Sequence, residues 1–184
     1  MSSKKILVII FTAVCLGITL FVLFLYISIK TKSTRIDRYE PFKEWIGKTV
    51  ELNRPSVLFC ERLPFNDNYP NVLLDSLHPN WQYVDEQANL SEPDLVKIIA
   101  FPKGVAFTIQ KAVMYTNGVS GSSTPIVFGT ITHGAEVYQV GYQWGEQDIG
   151  KSFDKIKESW RFHQAPWQSI EDTNYYALPR AEFW

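Results

Sequence analysis

The sequence predicts a single N-terminal transmembrane helix followed by one mainly-β domain, of β-barrel or sandwich type, with one late amphipathic helix. Three observations lead there. From Ile6 to Ile29 the chain carries neither a charged residue nor a proline. Beyond Gly47 the apolar residues recur mostly with the period of two expected of half-buried strands. Near the C-terminus one segment returns to helical spacing.

The apolar run, residues 6–29, is bracketed by Lys4 and Lys5 on one side and by Lys30, Lys32 and Arg35 on the other. As a helix rising ~1.5 Å per residue it covers ~36 Å, more than the ~30 Å hydrocarbon core of a bilayer. A secretory leader has a shorter apolar region, ~7–15 residues, and ends at a small-x-small site. This run ends Leu25-Tyr26-Ile27-Ser28 and reads as an uncleaved signal anchor. The expected organisation is a basic tail over residues 1–5, the anchor over 6–29, a polar linker over 30–40 and one extramembrane domain over 41–184.

Two rules oppose each other on orientation. Lys30, Lys32, Arg35 and Arg38 outnumber Lys4 and Lys5, which by the positive-inside rule favours a cytoplasmic domain. A short basic tail ahead of a first apolar run normally stays inside while the rest is exported. We favour the second rule, which places the domain in the periplasm of a bacterial inner-membrane protein. Asn89-Leu90-Ser91 matches the N-glycosylation pattern, relevant only in a eukaryotic lumen.

All 19 acids lie from Asp37 onward; removing the five anchor bases (Lys4, Lys5, Lys30, Lys32, Arg35) from 18 Lys and Arg leaves 13, a domain charge of −6. That surface repels phosphate backbones and argues against nucleic acid as a partner. The two cysteines are Cys15, inside the apolar run, and Cys60, so the domain has no internal disulfide.

Along the chain, Tyr39, Phe42, Trp45 and Ile46 have the spacing of one or two helical turns ahead of Gly47. Residues 49–52 and 57–60 read as short strands with a turn at Asn53-Arg54-Pro55. Residues 64–71 concentrate proline, asparagine and aspartate and form a surface loop. Short apolar runs follow at 72–74 and 81–84. Ser91-Glu92-Pro93-Asp94 has an N-cap residue and an acid three later, signals of a brief helical turn. A strand is expected at 105–109, continued with a change of phase at 112–115. Residues 117–123 are a mobile glycine-serine loop, and 126–132 and 135–144 form a hairpin about His133-Gly134. Its second arm places Tyr138, Val140, Tyr142 and Trp144 on one face, a core face first and a binding platform second. Ile149, Phe153, Ile156 and Trp160 form a helical stripe, which with Ser152 as N-cap predicts a helix over 153–162 packed on the sheet. The tail from Gln164, rich in aromatic residues up to Phe183 and Trp184, is expected to wrap back onto the domain. The total is about six or seven strands.

In residues 98–109, the apolar run Ile98-Ile99-Ala100-Phe101, the turn Pro102-Lys103-Gly104 and the alternating Val105-Ala106-Phe107-Thr108-Ile109 resemble the corresponding turn of bacterial SH3-like domains. The resemblance implies a small β-barrel of a kind that commonly binds peptides or cell-wall components at the envelope. It covers about a dozen residues and transfers no functional residue.

The histidines, His78, His133 and His163, form no metal-binding spacing, and no phosphate-binding glycine loop is present; no cofactor is expected. Cys60 lies in an apolar run where a buried inert thiol is the expected state. Glu136 is separated from Glu146 and Asp148 by ~33 Å of extended strand, too far for joint carboxylate chemistry. The expectation is a membrane-anchored, non-enzymatic binding domain of the envelope that engages a protein, in an immunity-, inhibitor- or accessory-like role. Candidate partner-binding residues are Tyr69, Asn117, Ser120, Ser122, Tyr138, Tyr142 and Trp144. The alternatives are an envelope hydrolase or transferase acting through Cys60 or carboxylates, and a structural subunit of a membrane complex.

Overall fold

The computed structural model describes residues 3–87 and 90–181. A 27-residue helix, α1 (Ser3–Ile29), precedes a mostly-β domain. None of the described α1 residues is buried and its aliphatic side chains are exposed on every side, so the helix is long and apolar enough to span a membrane.

A polar linker is expected over residues 30–40, yet only Lys30 and Thr31 separate α1 from strand β1 (Lys32–Arg35). β1 pairs antiparallel with β6 (Ala106–Thr116) in the register Lys32↔Thr116, and Ile36 behind it is fully buried. Alternating side chains, half-buried Lys32 and Thr34 against exposed Ser33 and Arg35, let a polar segment serve as an edge strand.

A 3₁₀ turn, Phe42–Glu44, supplies the expected helical turn, and Gly47, at φ 82°, ends it. Strands β2 (Thr49–Glu51) and β3 (Ser56–Glu61) both form as expected but do not pair with each other. β2 joins β6 below β1, whereas β3 lies between β4 (Asn71–Asp75) and β5 (Leu95–Phe101). Residues 91–94 are irregular and lead straight into β5, so the expected helical turn there is absent; Pro93 and the β-branched run that follows favour extension. A helix α2 (Trp81–Gln87) occupies the apolar run that precedes it. Asn89 of the glycosylation pattern lies outside the described residues, as do Phe183 and Trp184.

β6, β7 (Ser123–His133) and β8 (Glu136–Gln143) form the long antiparallel centre. The expected change of phase is a bulge between Ile109 and Lys111. It turns Phe107 and Ile109 to the core before it and Ala112 and Met114 after it. The two-residue turn at Gly134, φ 64°, closes the expected hairpin with His133 opposite Glu136.

The eight-stranded sheet runs β1-β6-β7-β8-β4-β3-β5, with β2 also on β6. It consists of two antiparallel blocks, one containing β6, β7 and β8, the other β4, β3 and β5. They meet at a single parallel seam of two register pairs, Asn71↔Val140 and Val72↔Gly141. The sheet coils on itself: Phe101 at the end of β5 packs against His133 and Tyr138, with ring centroids 5.5 and 5.6 Å apart. The 102–105 turn joins β5 to β6 with no ladder between them, so the strands of the SH3-like resemblance are neighbours in sequence only.

The largest departure lies at residues 149–162. Helix α3 (Ile149–Phe153) is five residues long, with Asp148 rather than Ser152 as its cap, accepting from the Lys151 N–H. Ile149 and Phe153 are 84% and 85% exposed, so the first half of the helical stripe does not pack on the sheet. Lys155 takes a positive φ of 59°, which stops the helix, and Trp160 enters strand β10 (Glu158–Arg161) between β9 (Glu146–Gln147) and β11 (Tyr176–Ala177). The i, i+4 spacing is thus a coincidence overridden by pairing. The aromatic tail does wrap back: Phe42, Trp144, Phe162 and Trp167 meet edge to face at 5.2–5.4 Å, contacts worth ~0.5–1.5 kcal/mol each beyond their burial.

Gly129 in β7 sits opposite the bulge, where a Cβ would strike the Thr108 carbonyl and fall 2.8 Å from the Phe107 ring. Gly129→Ala is expected to lower stability by at least ~1–3 kcal/mol, read from the urea midpoint of the detergent-solubilised chain.

Candidate functional site

The parallel seam is where the buried polar groups gather. Asp75, at the end of β4, is fully buried, and so is Tyr142 on β8. Period-two alternation turns Tyr142 inward together with Val140 and Trp144, all at 0% exposure. The Tyr142 hydroxyl donates to Asp75 Oδ1 at 3.3 Å and lies 3.0 Å from His163 Nε2. Arg54 approaches Asp75 Oδ2 at 3.1 Å, a charge contact without a well-directed N–H. Its guanidinium also reaches the carbonyls of Gln164 and Ala165 at 3.4 Å. The row His163, Tyr142, Asp75, Arg54 is therefore continuous, and it is assembled from four segments of the chain.

His78 sits beside this row, its ring 4.9 Å from that of His163 and 5.2 Å from Tyr142. Both of its nitrogens are committed. Nδ1 accepts from the Asn80 N–H at 3.0 Å, so Nε2 carries the proton and donates to the Gln143 carbonyl at 3.0 Å. Asn71 adds a bond from its amide to the Gln139 carbonyl at 3.0 Å. Side chains thus span the seam at three successive points of β8.

Burial sets the electrostatics. Desolvation pushes the His78 pKa down to about 4, partly opposed by its bond to the Gln143 carbonyl. His163 is pushed down to about 3, first by burial and then by repulsion from His78 and Arg54. Asp75 is raised by burial, with the Arg54 guanidinium and the Tyr142 hydroxyl pulling the other way. Tyr142 is raised well above its ordinary value by burial and by the Asp75 charge. A histidine this weakly basic is a poor proton acceptor near neutral pH, because general-base efficiency peaks where pKa approaches working pH.

Each histidine forms part of a cleft. His163 lines one of about 560 Å³ with Glu146, Arg161, Glu171 and Asp172, among others. His78 lines one of about 290 Å³ with Glu61, Arg62, Tyr83, Asp94 and Leu95. Two more openings adjoin the second: one of about 390 Å³ containing Leu95, Val96 and Lys97, and an open one containing Cys60, Glu92 and Val96. Three clefts therefore converge on the start of β5. That strand ends the sheet, pairs only with β3 among the described residues, and exposes Val96 and Ile98 at 56% and 43%. Burial raises the Glu61 pKa in the same region.

The sequence-predicted residues scatter. Tyr142 and Trp144 are core and present no surface, a correction to their reading as partner contacts and in keeping with the core face expected of their arm. Tyr138 is half-buried with its hydroxyl on Glu136. Tyr69 is half-buried over Phe128, donates to Gln110 at 2.7 Å and lies under the Lys111 ammonium at 4.5 Å. Asn117, Ser120 and Ser122 are exposed on the β6–β7 turn, far from Tyr138 along the strands. Cys60 is half-buried, and no histidine is hydrogen-bonded to it among the described residues. Glu146 pairs with Arg161, whereas Asp148 caps α3 and accepts from Tyr175 at 3.1 Å. Sequence reasoning missed the seam cluster; the one available signal was a set of isolated polar residues beside apolar runs.

No family model, curated protein or solved structure shows significant similarity to the chain.

Two outcomes follow from the cluster. Asp75→Asn leaves the Arg54 guanidinium, 15% exposed, without its counter-charge; a loss of ~3–5 kcal/mol is expected in denaturant titration. Both histidines are neutral when folded, so their stabilisation is complete above pH 6.5 and lost as pH falls toward 4, where only the unfolded chain takes up protons. The urea midpoint should fall across that window, and His163→Gln should reduce the slope by about one proton.

Proposed function

We propose that the chain is a single-pass membrane protein whose domain is a non-enzymatic binding module for another protein, docking at the free edge of β5. The observation that carries this reading is the convergence of three clefts on the start of a strand whose outer edge has no partner among the described residues, with exposed Val96 and Ile98. An exposed edge offers main-chain hydrogen bonds to an added strand, and flanking pockets for alternate side chains supply selectivity. Folded proteins usually blunt such edges, and a single Lys97 is the charged residue on this one. Glu61, Glu92 and Asp94 outnumber Arg62 and Lys97 around the clefts, and with Lys32 and Arg35 counted in the sheet the domain carries 15 bases against 19 acids, a charge of −4, which favours a basic partner.

The weak basicity of His78 and His163 supports binding over acid-base catalysis. Packing of the domain against the last turn of α1 supports an uncleaved anchor. Lys4 and Lys5, immediately ahead of the apolar run, support a domain exported across a bacterial-type inner membrane.

The test is affinity capture of the tagged full-length chain from its native membranes, beside Val96→Asp/Ile98→Asp. A co-purifying protein reduced at least ~10-fold by the double substitution is expected, because charges at such an edge oppose strand addition. Equal recovery by both chains would remove the docking site, and the absence of any protein above background would remove the binding role.

A further inference from the structure

The β6–β7 turn, residues 117–122, lies at the level where α1 leaves its apolar stretch. The connection is short: two residues join α1 to β1, and β1 pairs with residues 113–116 of β6, which carries the next residues of that strand back to the helix end. Contact is direct. A Cβ on Gly118 would strike the Ser28 carbonyl oxygen and lie 2.5 Å from that of Ile29. Only a residue without a side chain brings the turn this close to the last turn of the helix. Ile27 and Ile29 are 46% and 55% exposed on the same turn of α1, so apolar surface continues past the contact.

The turn has the chemistry of a segment that can leave water. It carries no charged side chain, and Val119 at its tip is 75% exposed. Several of its polar groups satisfy one another. Asn117 Oδ1 accepts from the N–H groups of Val119 and Ser120 at 2.8 and 3.0 Å. The Asn117 carbonyl accepts from Gly121 and its N–H donates to the Ser122 carbonyl, both at 2.9 Å, and the Ser120 and Ser122 hydroxyls bond at 2.7 Å. Internal satisfaction lowers the cost of bringing backbone into a lipid interface. Lys30, exposed at the same level, suits the headgroup region.

We propose that this turn is a second membrane contact, with Val119 dipping into the boundary between headgroups and acyl chains of the bilayer that α1 spans. The occupant is lipid because the surface continues that of the spanning helix. The proposal rests on the reading of α1 as a span. Two attachments fix the tilt of the domain, where one helix alone leaves it free to swing.

The test uses the full chain with Cys15→Ser and Cys60→Ser, carrying either Val119→Cys or Glu136→Cys. An environment-sensitive fluorophore is attached after reconstitution in phosphatidylcholine–phosphatidylglycerol vesicles. Glu136 starts β8 at the far end of the long hairpin. The label at 119 should be blue-shifted and quenched at least twofold by shallow doxyl lipids, while the label at 136 behaves as in water. Adding Gly118→Val should push the turn off α1 and abolish the quenching while the protein still floats with vesicles. A label at 119 equal to that at 136, in protein that floats after carbonate wash, overturns the proposal alone. A blue-shifted label insensitive to doxyl lipid means protein covers the turn, and also overturns it. Protein that fails to float removes the spanning reading itself.

Discussion

The fold depends on the seam between β4 and β8. Each antiparallel block on either side is held by long ladders, β6 with β7 and β8 in one, β3 with β4 and β5 in the other. The junction has two register pairs and runs parallel, the weaker geometry. Polar side chains make up the difference. Asn71, His78 and Asp75 reach Gln139, Gln143 and Tyr142 across it, and Arg54 ties the same carboxylate to the 164–165 backbone. Apolar packing is indifferent to small slips along a strand; a network of directed bonds is not. The cluster therefore fixes which residues of the two blocks meet, and with them the clefts around the start of β5.

The same arrangement separates rigid from available parts of the molecule. The aromatic centre around Phe42, Trp144, Phe162 and Trp167 closes the coiled sheet against the small β9-β10-β11 sheet. Exposed apolar side chains collect elsewhere: on α1, on Leu63 and Phe65 in the β3–β4 loop, on Val96 and Ile98, and on the short α3. Of these, β5 alone combines a free strand edge with adjoining concave surface.

Much of this was legible in the sequence where a pattern is local. The 24-residue apolar run, the phase change near residue 110 and the Gly134 turn each leave a signature within a few residues, and each element stands where it is expected. What depends on partners far along the chain was not legible. Residues 32–35 look like a tether because their strand character comes from residues 113–116. Trp160 matches a helical stripe because nothing near it announces β9 and β11. Residues 117–122 read as mobile by composition, whereas Asn117 and the end of α1 hold them. Arg54, Asp75, Tyr142 and His163 carry no spacing rule at all, since they meet only once the blocks have joined.

The pairing of β1 with β6 also imposes an order on biogenesis. α1 and β1 leave the ribosome before β6, and the strand that β1 needs follows about 80 residues later, ~4–16 s at ~5–20 residues per second. During that interval the extension of the helix has no mate. The nascent chain therefore carries β1 unpaired beside α1, and the domain gains its fixed position relative to the helix only once residue 116 has been made.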